Sequence, residues 1–238
     1  MKALWRRLIA FGFRLLYNEL AWTYDVVSWL VSRGLWRRWQ RTALDFLPAG
    51  GRVLEVGFGP GHLLVELAQR DPRASGGRHV FGGRTSLGGR TMFGLDLSPA
   101  MLRLARRRLQ RHGLDPRLVR GQAQALPFAP GAFAAVVLTF PTPFVYDPAW
   151  LRGLTRVLRS GGRLVVVEQA EFEGRGLVSR FLEWLYDVTG QRGPAPDLPA
   201  RLEEVGLAAR RETVAIDGTR VGLVVAEKGG RAGETGRG

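Results

Sequence analysis

The sequence predicts an α/β fold, with a mostly parallel sheet, helical crossovers and one antiparallel pair at its edge. Three observations lead there. From Arg52 onward short β-like runs alternate with stretches of helical periodicity, the pattern of strands joined by crossover helices. In VLEVGFGPG a glycine-rich turn separates the first such run from the first such helix. Near the C-terminus two strand-like runs are joined by Asp217-Gly218, a hairpin turn dipeptide.

The chain opens on an amphipathic stretch. Leu4, Leu8, Phe11, Leu15 and Leu16 fall on one side of a helix, and Arg6, Arg7 and Arg14 on the other. This pattern fits an interfacial helix among lipid headgroups, and equally a helix that caps the domain with its arginines in water. A second helical region runs from about Ala21 to Leu47, carries Trp22, Tyr24, Trp29, Leu30, Leu35, Trp36 and Trp39, and ends before Pro48. Residues 1–47 thus read as a helical cap and residues 48–227 as the main domain. Strands are expected near Arg52–Val56, Met92–Leu97, Arg117–Arg120, Ala134–Thr139 and Arg163–Gln169. Helices are expected over Pro60–Arg70, Pro99–His112 and Pro148–Leu158. A helix near Leu198–Val205 then leads into the hairpin runs Arg210–Ile216 and Arg220–Ala226. The tail 228–238 has no apolar content to bury and is expected to be disordered.

Composition bounds the chemistry. The 238 residues suffice for one domain with appendages, and 45% apolar content can fill a core. The absence of cysteine excludes disulfides, thiolate metal sites and cysteine nucleophiles. Only His62, His79 and His112 remain as imidazole ligands, in no metal-ligand spacing, so no metal site is expected. A formal charge of +14, nearly all arginine, points to nucleic acid or an anionic membrane surface, or to a compositional bias of the genome. No apolar run is long enough to span a bilayer, and a cytoplasmic location is expected.

Gly-Gly-Arg recurs every six residues, beginning at Gly76, Gly82 and Gly88. From Gly61 to Asp96 is 35 positions, whereas glycine-loop folds place the acid about 20 residues on. Removal of two units nearly restores that spacing, so residues 76–93 read as an inserted repeat loop on the face opposite the carboxyl ends of the strands. Loop entropy tolerates such an insertion, at about 0.6 kcal/mol per doubling of length.

The glycine turn carries the chemistry. Gly57, Gly59 and Gly61 allow a ligand to approach backbone more closely than any Cβ would permit. A dinucleotide site requires G-x-G-x-x-G, yet here the third glycine comes one residue early and His62 follows. Glu55 precedes the first glycine by two residues. That carboxylate is a poor neighbour for pyrophosphate and suits a cofactor bearing an ammonium and a sulfonium, which favours S-adenosylmethionine. Asp96 closes the second strand, where a carboxylate can accept from both ribose hydroxyls.

The segment Ala21–Ala170 resembles the class I S-adenosylmethionine-dependent methyltransferases, and within them the ubiquinone/menaquinone-biosynthesis C-methyltransferase family. The resemblance rests on AWTYDVVSWLVSRGLWRRWQR, VLEVGFGPG, GLDLSPAML, ALPFAPGAFAAVV and VLRSGGRLVVVE in that order. It implies a three-layer, Rossmann-like fold with a seven-stranded sheet and an antiparallel last strand. It further implies that Glu55 holds the methionine end of the cofactor, Leu97 and Met101 line the adenine pocket, and Gln122 and Ala123 lie at the adenine edge. Tyr24 would close over the cofactor and Thr139 would lie beside the methyl group.

Two departures stand out. Gln122 replaces the family's acid, leaving a neutral acceptor for the adenine amino group. After the fourth strand, LTFPTPFVYDP differs from the quinone-type sequence at the acceptor side. Methyl transfer requires mainly alignment and desolvation; where a base helps, Tyr146, Asp147 and Glu168 are the candidates. The basic N-terminus and aromatic cap favour an apolar or lipidic acceptor, quinol-like or a phospholipid amine, with peripheral membrane contact through residues 1–20. The alternatives are a soluble methyltransferase of a polar metabolite or RNA, and an inactive cofactor-binding module.

Overall fold

The computed structural model describes residues 28–29, 32–69, 90–115, 117–172 and 196–230. The N-terminal amphipathic stretch, Tyr24, most of the hexapeptide repeat and the tail beyond Gly230 lie outside the described residues.

The elements run α1 (Trp36–Arg41), β1 (Gly51–Val56), α2 (His62–Gln69), β2 (Arg90–Asp96), α3 (Pro99–Arg111) and β3 (Arg117–Arg120). They continue as β4 (Phe133–Thr139), α4 (Pro148–Val157), β5 (Leu158–Phe172), α5 (Leu198–Glu203), β6 (Leu207–Ile216) and β7 (Thr219–Lys228). All seven strands form one sheet in the order β3-β2-β1-β4-β5-β7-β6. The first five are mutually parallel, and β7 runs antiparallel to both β5 and β6. This is the expected three-layer architecture with its hairpin, β7 being slotted between β5 and the edge strand β6.

Strand direction follows from covering both faces. Leu54, Val136, Leu138 and Leu164 pack with Trp150 and Leu154 of α4 on one side. Val53, Ala135, Val137 and Val165 pack with Leu63, Leu64 and Leu67 of α2 and Leu109 of α3 on the other. Strands buried on both faces read as continuous apolar runs, as FAAVVLT does. Ser98 caps α3 by accepting from the Met101 amide, with Pro99 in its first turn.

The observed boundaries carry information. The tryptophan-rich region is interrupted before α1, where Arg33 and Gly34 both take left-handed conformations and the Gly34 amide donates to the Trp29 carbonyl at 2.8 Å. The strand β2 begins at Arg90, the last residue of the third Gly-Gly-Arg triplet. The long β5 exceeds its expected span because β7 pairs with it as far as Phe172↔Thr219. Its register shifts between Val167 and Gln169, leaving Glu168 on a bulge.

The strand order reverses between β1 and β4. In open α/β sheets the ligand crevice lies outside the carboxyl ends of the strands at such a switch point. Glu55, Asp96 and Thr139 all stand at those ends.

Candidate functional site at the strand carboxyl ends

In β1, Glu55 pairs in register with Gly94 of β2 and Val137 of β4, in the middle of the sheet. The residue is 1% exposed, and neither carboxylate oxygen has a hydrogen-bond partner among the described residues. Burial, reinforced by the nearby charge of Asp96, pushes this carboxyl well above the ordinary glutamate range. A buried polar group with no partner is costly, which makes Glu55 a waiting acceptor.

The turn behind it is built from two kinds of glycine. Gly57 and Gly59 have φ of 72° and 51°, and a Cβ at either would meet open space. Both therefore leave backbone bare toward the crevice. Gly61 differs, since a Cβ there would come within 2.8 Å of the Ala105 Cβ on α3. It permits close helix packing. Between them Phe58 turns inward, onto Gly94, where any Cβ would clash with the ring at 2.6 Å.

The Asp96 carboxylate ties this turn to the next one. Oδ2 accepts from the Gly59 amide at 3.0 Å and Oδ1 from the Ser98 amide at 2.8 Å. Burial raises its pKa, opposed by backbone donors at Ser98, Gly59 and Leu97. Each oxygen retains acceptor capacity. Beside it Leu97 is 59% exposed, an apolar platform at the mouth of the crevice. Met101, in contrast, is fully buried and packs with Ala100 and Leu104. Gln122 is exposed at the start of a short 3-10 turn, and the adjacent Gly121 amide donates to the Asp96 carbonyl at 3.0 Å. Ala123 is buried in the core.

On the other side of Glu55, β4 ends at Thr139, whose Oγ1 accepts from Gln40 Nε2 of α1 at 3.0 Å. The next residue, Phe140, has φ of 50°, a conformation costly for a bulky residue. Its amide donates to the Val167 carbonyl at 2.7 Å, and its ring stacks on Trp36 with centroids 4.3 Å apart. Trp39 meets the same ring edge-on at 6.2 Å and anchors α1 by donating from Nε1 to Thr219 Oγ1 at 3.0 Å. Trp36 and Phe140 are both partly exposed, so the aromatic wall has an open side.

The three acid-base candidates separate. Asp147 caps α4, accepting from the Ala149 amide at 2.7 Å. The Glu168 carboxylate pairs with Arg211 at 2.5 Å, and Arg211 also holds Asp197 at 2.7 Å. Burial and the charge of Glu168 raise the Tyr146 phenol, opposed by Arg211. Tyr146 and Glu168 therefore share one electrostatic environment. Sequence reasoning missed Gln40, Phe140 and Arg211; the clustered tryptophans of α1 were the visible trace of the wall.

The described residues contain no group of three side chains suited to a metal ion, and no helix among them is long and apolar enough to cross a membrane.

A glycine turn flanked by Glu55 and Asp96 at the switch point of this sheet defines the class I methyltransferase fold. Residues 13–195 match the profile of the ubiE/COQ5 methyltransferase family, and the chain belongs to that family. It is 36% identical over 156 residues to the demethylmenaquinone methyltransferase of Thermus thermophilus, covering 64% of each chain. It is 31% identical over 162 residues to the ubiquinone/menaquinone biosynthesis C-methyltransferase of a Geobacter species, covering 65% of this chain and 62% of that one. The match thus spans under two thirds of the length of these curated relatives. Among solved structures, a phosphoethanolamine N-methyltransferase from Haemonchus contortus, in complex with phosphomonomethylethanolamine and S-adenosylhomocysteine, superposes with a TM-score of 0.56 at 17% identity. That superposition covers 82% of this chain and 53% of that one, a likeness of fold alone.

Proposed function

We propose that the protein methylates a flat, apolar acceptor of the quinol class, with S-adenosylmethionine as donor. The observation that carries the donor is the pair of unpartnered, buried oxygens on Glu55, beside backbone left bare by Gly57 and Gly59. A cationic ligand supplies the charge such a carboxylate lacks; a pyrophosphate would repel it. The residues fit the cofactor: Glu55 for its amino-acid end, Asp96 for the ribose, Leu97 for the face of the base, and Gln122 with Ala123 for the base edge. Tyr24 belongs to the same proposal. When bound, the cofactor supplies an already activated methyl group on a cationic sulfur.

The acceptor reading rests on the Trp36–Phe140 wall beyond Thr139, which offers a flat apolar surface next to the methyl position. Relatives named for demethylmenaquinone methylation and for ubiquinone/menaquinone biosynthesis support the same class. For transfer to a ring carbon, the acceptor carbon forms the new C–C bond as the methyl–sulfur bond breaks, and that carbon then loses its proton. Glu168, held by Arg211, is the group assigned to take it, with Tyr146 orienting the acceptor hydroxyl. Asp147 serves as a helix cap in this scheme. The N-terminal segment 1–20 is assigned to peripheral contact with the membrane that holds such an acceptor.

Incubation of the full chain with methyl-labelled cofactor and a lipid extract, followed by mass identification of the product, tests this reading. A labelled prenylated quinol supports it. A labelled phospholipid amine, polar metabolite or RNA overturns the acceptor, and failure to bind the cofactor in calorimetry overturns the enzyme.

A further inference from the structure

Arginine is abundant throughout the chain, but its carboxylate partners are not evenly placed. From Asp197 to Lys228 there are five cations and six carboxylates. The arginines there are paired, as in Arg201–Glu204, Arg210–Glu212 and Arg211 with Glu168 and Asp197. From Pro99 to Arg120 there are seven arginines and one carboxylate, Asp115. A uniform compositional bias would not divide the two ends of one sheet in this way.

The excess is organised. Arg103, Arg107 and Arg111 recur every four residues and share one face of α3, with Arg106 beside them; all four are exposed. None forms an ion pair among the described residues. Like charges at this spacing destabilise a helix, and α3 contains no acid to offset them. The edge strand β3 extends the patch. Arg117 rests over the Phe93 ring at 5.3 Å, and Arg120 donates to the Leu97 carbonyl at 3.3 Å, both with exposed side chains. The stripe is roughly 20 Å long, rigid, and reaches the rim of the crevice at Leu97.

We infer that the outer face of α3 and the edge of β3 dock on a bilayer surface bearing anionic phospholipid headgroups. Charge complementarity selects an anionic partner, and the cations of the stripe each gain attraction at such a surface. The described stripe carries no exposed aromatic side chain for stacking bases, which disfavours single-stranded nucleic acid. The inference does not depend on which acceptor is methylated.

The test uses the full chain with vesicles of phosphatidylcholine alone, and with roughly one third phosphatidylglycerol, read by co-sedimentation. The variant Arg103→Gln/Arg107→Gln/Arg111→Gln is expected to lower partitioning onto the anionic vesicles roughly a hundredfold, about fivefold per arginine. The variant Arg201→Gln/Arg210→Gln/Arg220→Gln removes the same charge and is expected to change it less than about threefold. Equal losses in the two variants, or no preference for anionic vesicles, overturn the inference. So does an RNA or DNA duplex that displaces the vesicles and loses its own binding in the first variant. Should the glutamine variant fail to fold, Arg103→Lys/Arg107→Lys/Arg111→Lys decides together with a salt series. Retained partitioning that collapses near about 0.5 M salt supports the inference, and indifference to salt overturns it.

Discussion

The amide of Gly59 donates to Asp96 Oδ2 at 3.0 Å, joining the turn after β1 to the end of β2 across 37 residues of sequence. One carboxylate thus shapes the glycine turn, and both of its oxygens retain acceptor capacity. Asp96→Asn puts an amide N–H where one of two backbone donors already points, at Gly59 or Ser98. Loss of a charged hydrogen bond costs about 1.5–3 kcal/mol. Affinity for S-adenosylmethionine is expected to fall roughly 10- to 150-fold in calorimetry, on the same grounds. Unchanged affinity removes Asp96 from the cofactor site.

Phe140 offers a second test, because its backbone strain and its ring can be separated. Phe140→Gly relieves a left-handed conformation that costs on the order of 1–3 kcal/mol but deletes the stack on Trp36, so its melting temperature stays close to that of the parent. Phe140→Ala deletes the same stack and keeps the strain, and it unfolds at lower temperature. Both variants raise the acceptor KM at least about tenfold, the worth of an aromatic contact and its buried area, while cofactor affinity stays unchanged. A KM that does not move would show that the wall does not hold the acceptor.

What the sequence made legible is what it encodes contiguously. Glu55, the glycines and Asp96 each follow an apolar strand and precede a turn, so local pattern fixes their place at the strand ends. Gln40 and Thr139 are 99 residues apart, and Arg211 and Glu168 43 apart, and nothing local announces either pair. The end of β5 was equally hidden, because its last residues are strand only through pairing with β7. Met101 is set by helical period as well as by motif position, and it lies fully buried beside Ala100.

Asp147 and Glu168, indistinguishable as acids in the sequence, have different partners, a helix-start amide for the first and Arg211 for the second. Asp147→Ala removes a cap bond to the Ala149 amide, at a cost of about 0.5–2 kcal/mol of stability. Its turnover is expected to match the parent. Glu168→Gln retains the shape but removes the proposed proton acceptor, and kcat is expected to fall about 100-fold or more with little change in cofactor affinity. The pair is read by thermal melts and steady-state kinetics together. A kcat loss in the Asp147 variant at full stability would return that residue to the catalytic set.

Glu55 links the site to pH. Its carboxyl, raised by burial and by the charge of Asp96, stays protonated in the folded protein at pH values where the unfolded chain has already ionised. The folded state then binds more protons than the unfolded one, so this group's contribution is fully present below the ordinary glutamate range. It is lost as pH rises through the raised folded value. Asp96 is displaced in the same direction, so the difference between the parent and Glu55→Gln reports Glu55 together with its coupling to Asp96. The variant, lacking an ionisable group there, is expected to melt at higher temperature than the parent toward alkaline pH and to lose part of the parent's downward slope. Its affinity for S-adenosylmethionine falls, because the cationic donor no longer meets a carboxylate. In the parent, that donor favours the ionised form, so binding below the free-state pKa releases a proton and tightens as pH rises. Calorimetry in two buffers of different ionisation enthalpy measures this release. Identical apparent enthalpies in the parent across that pH range would mean that Glu55 does not face the cofactor's positive charge.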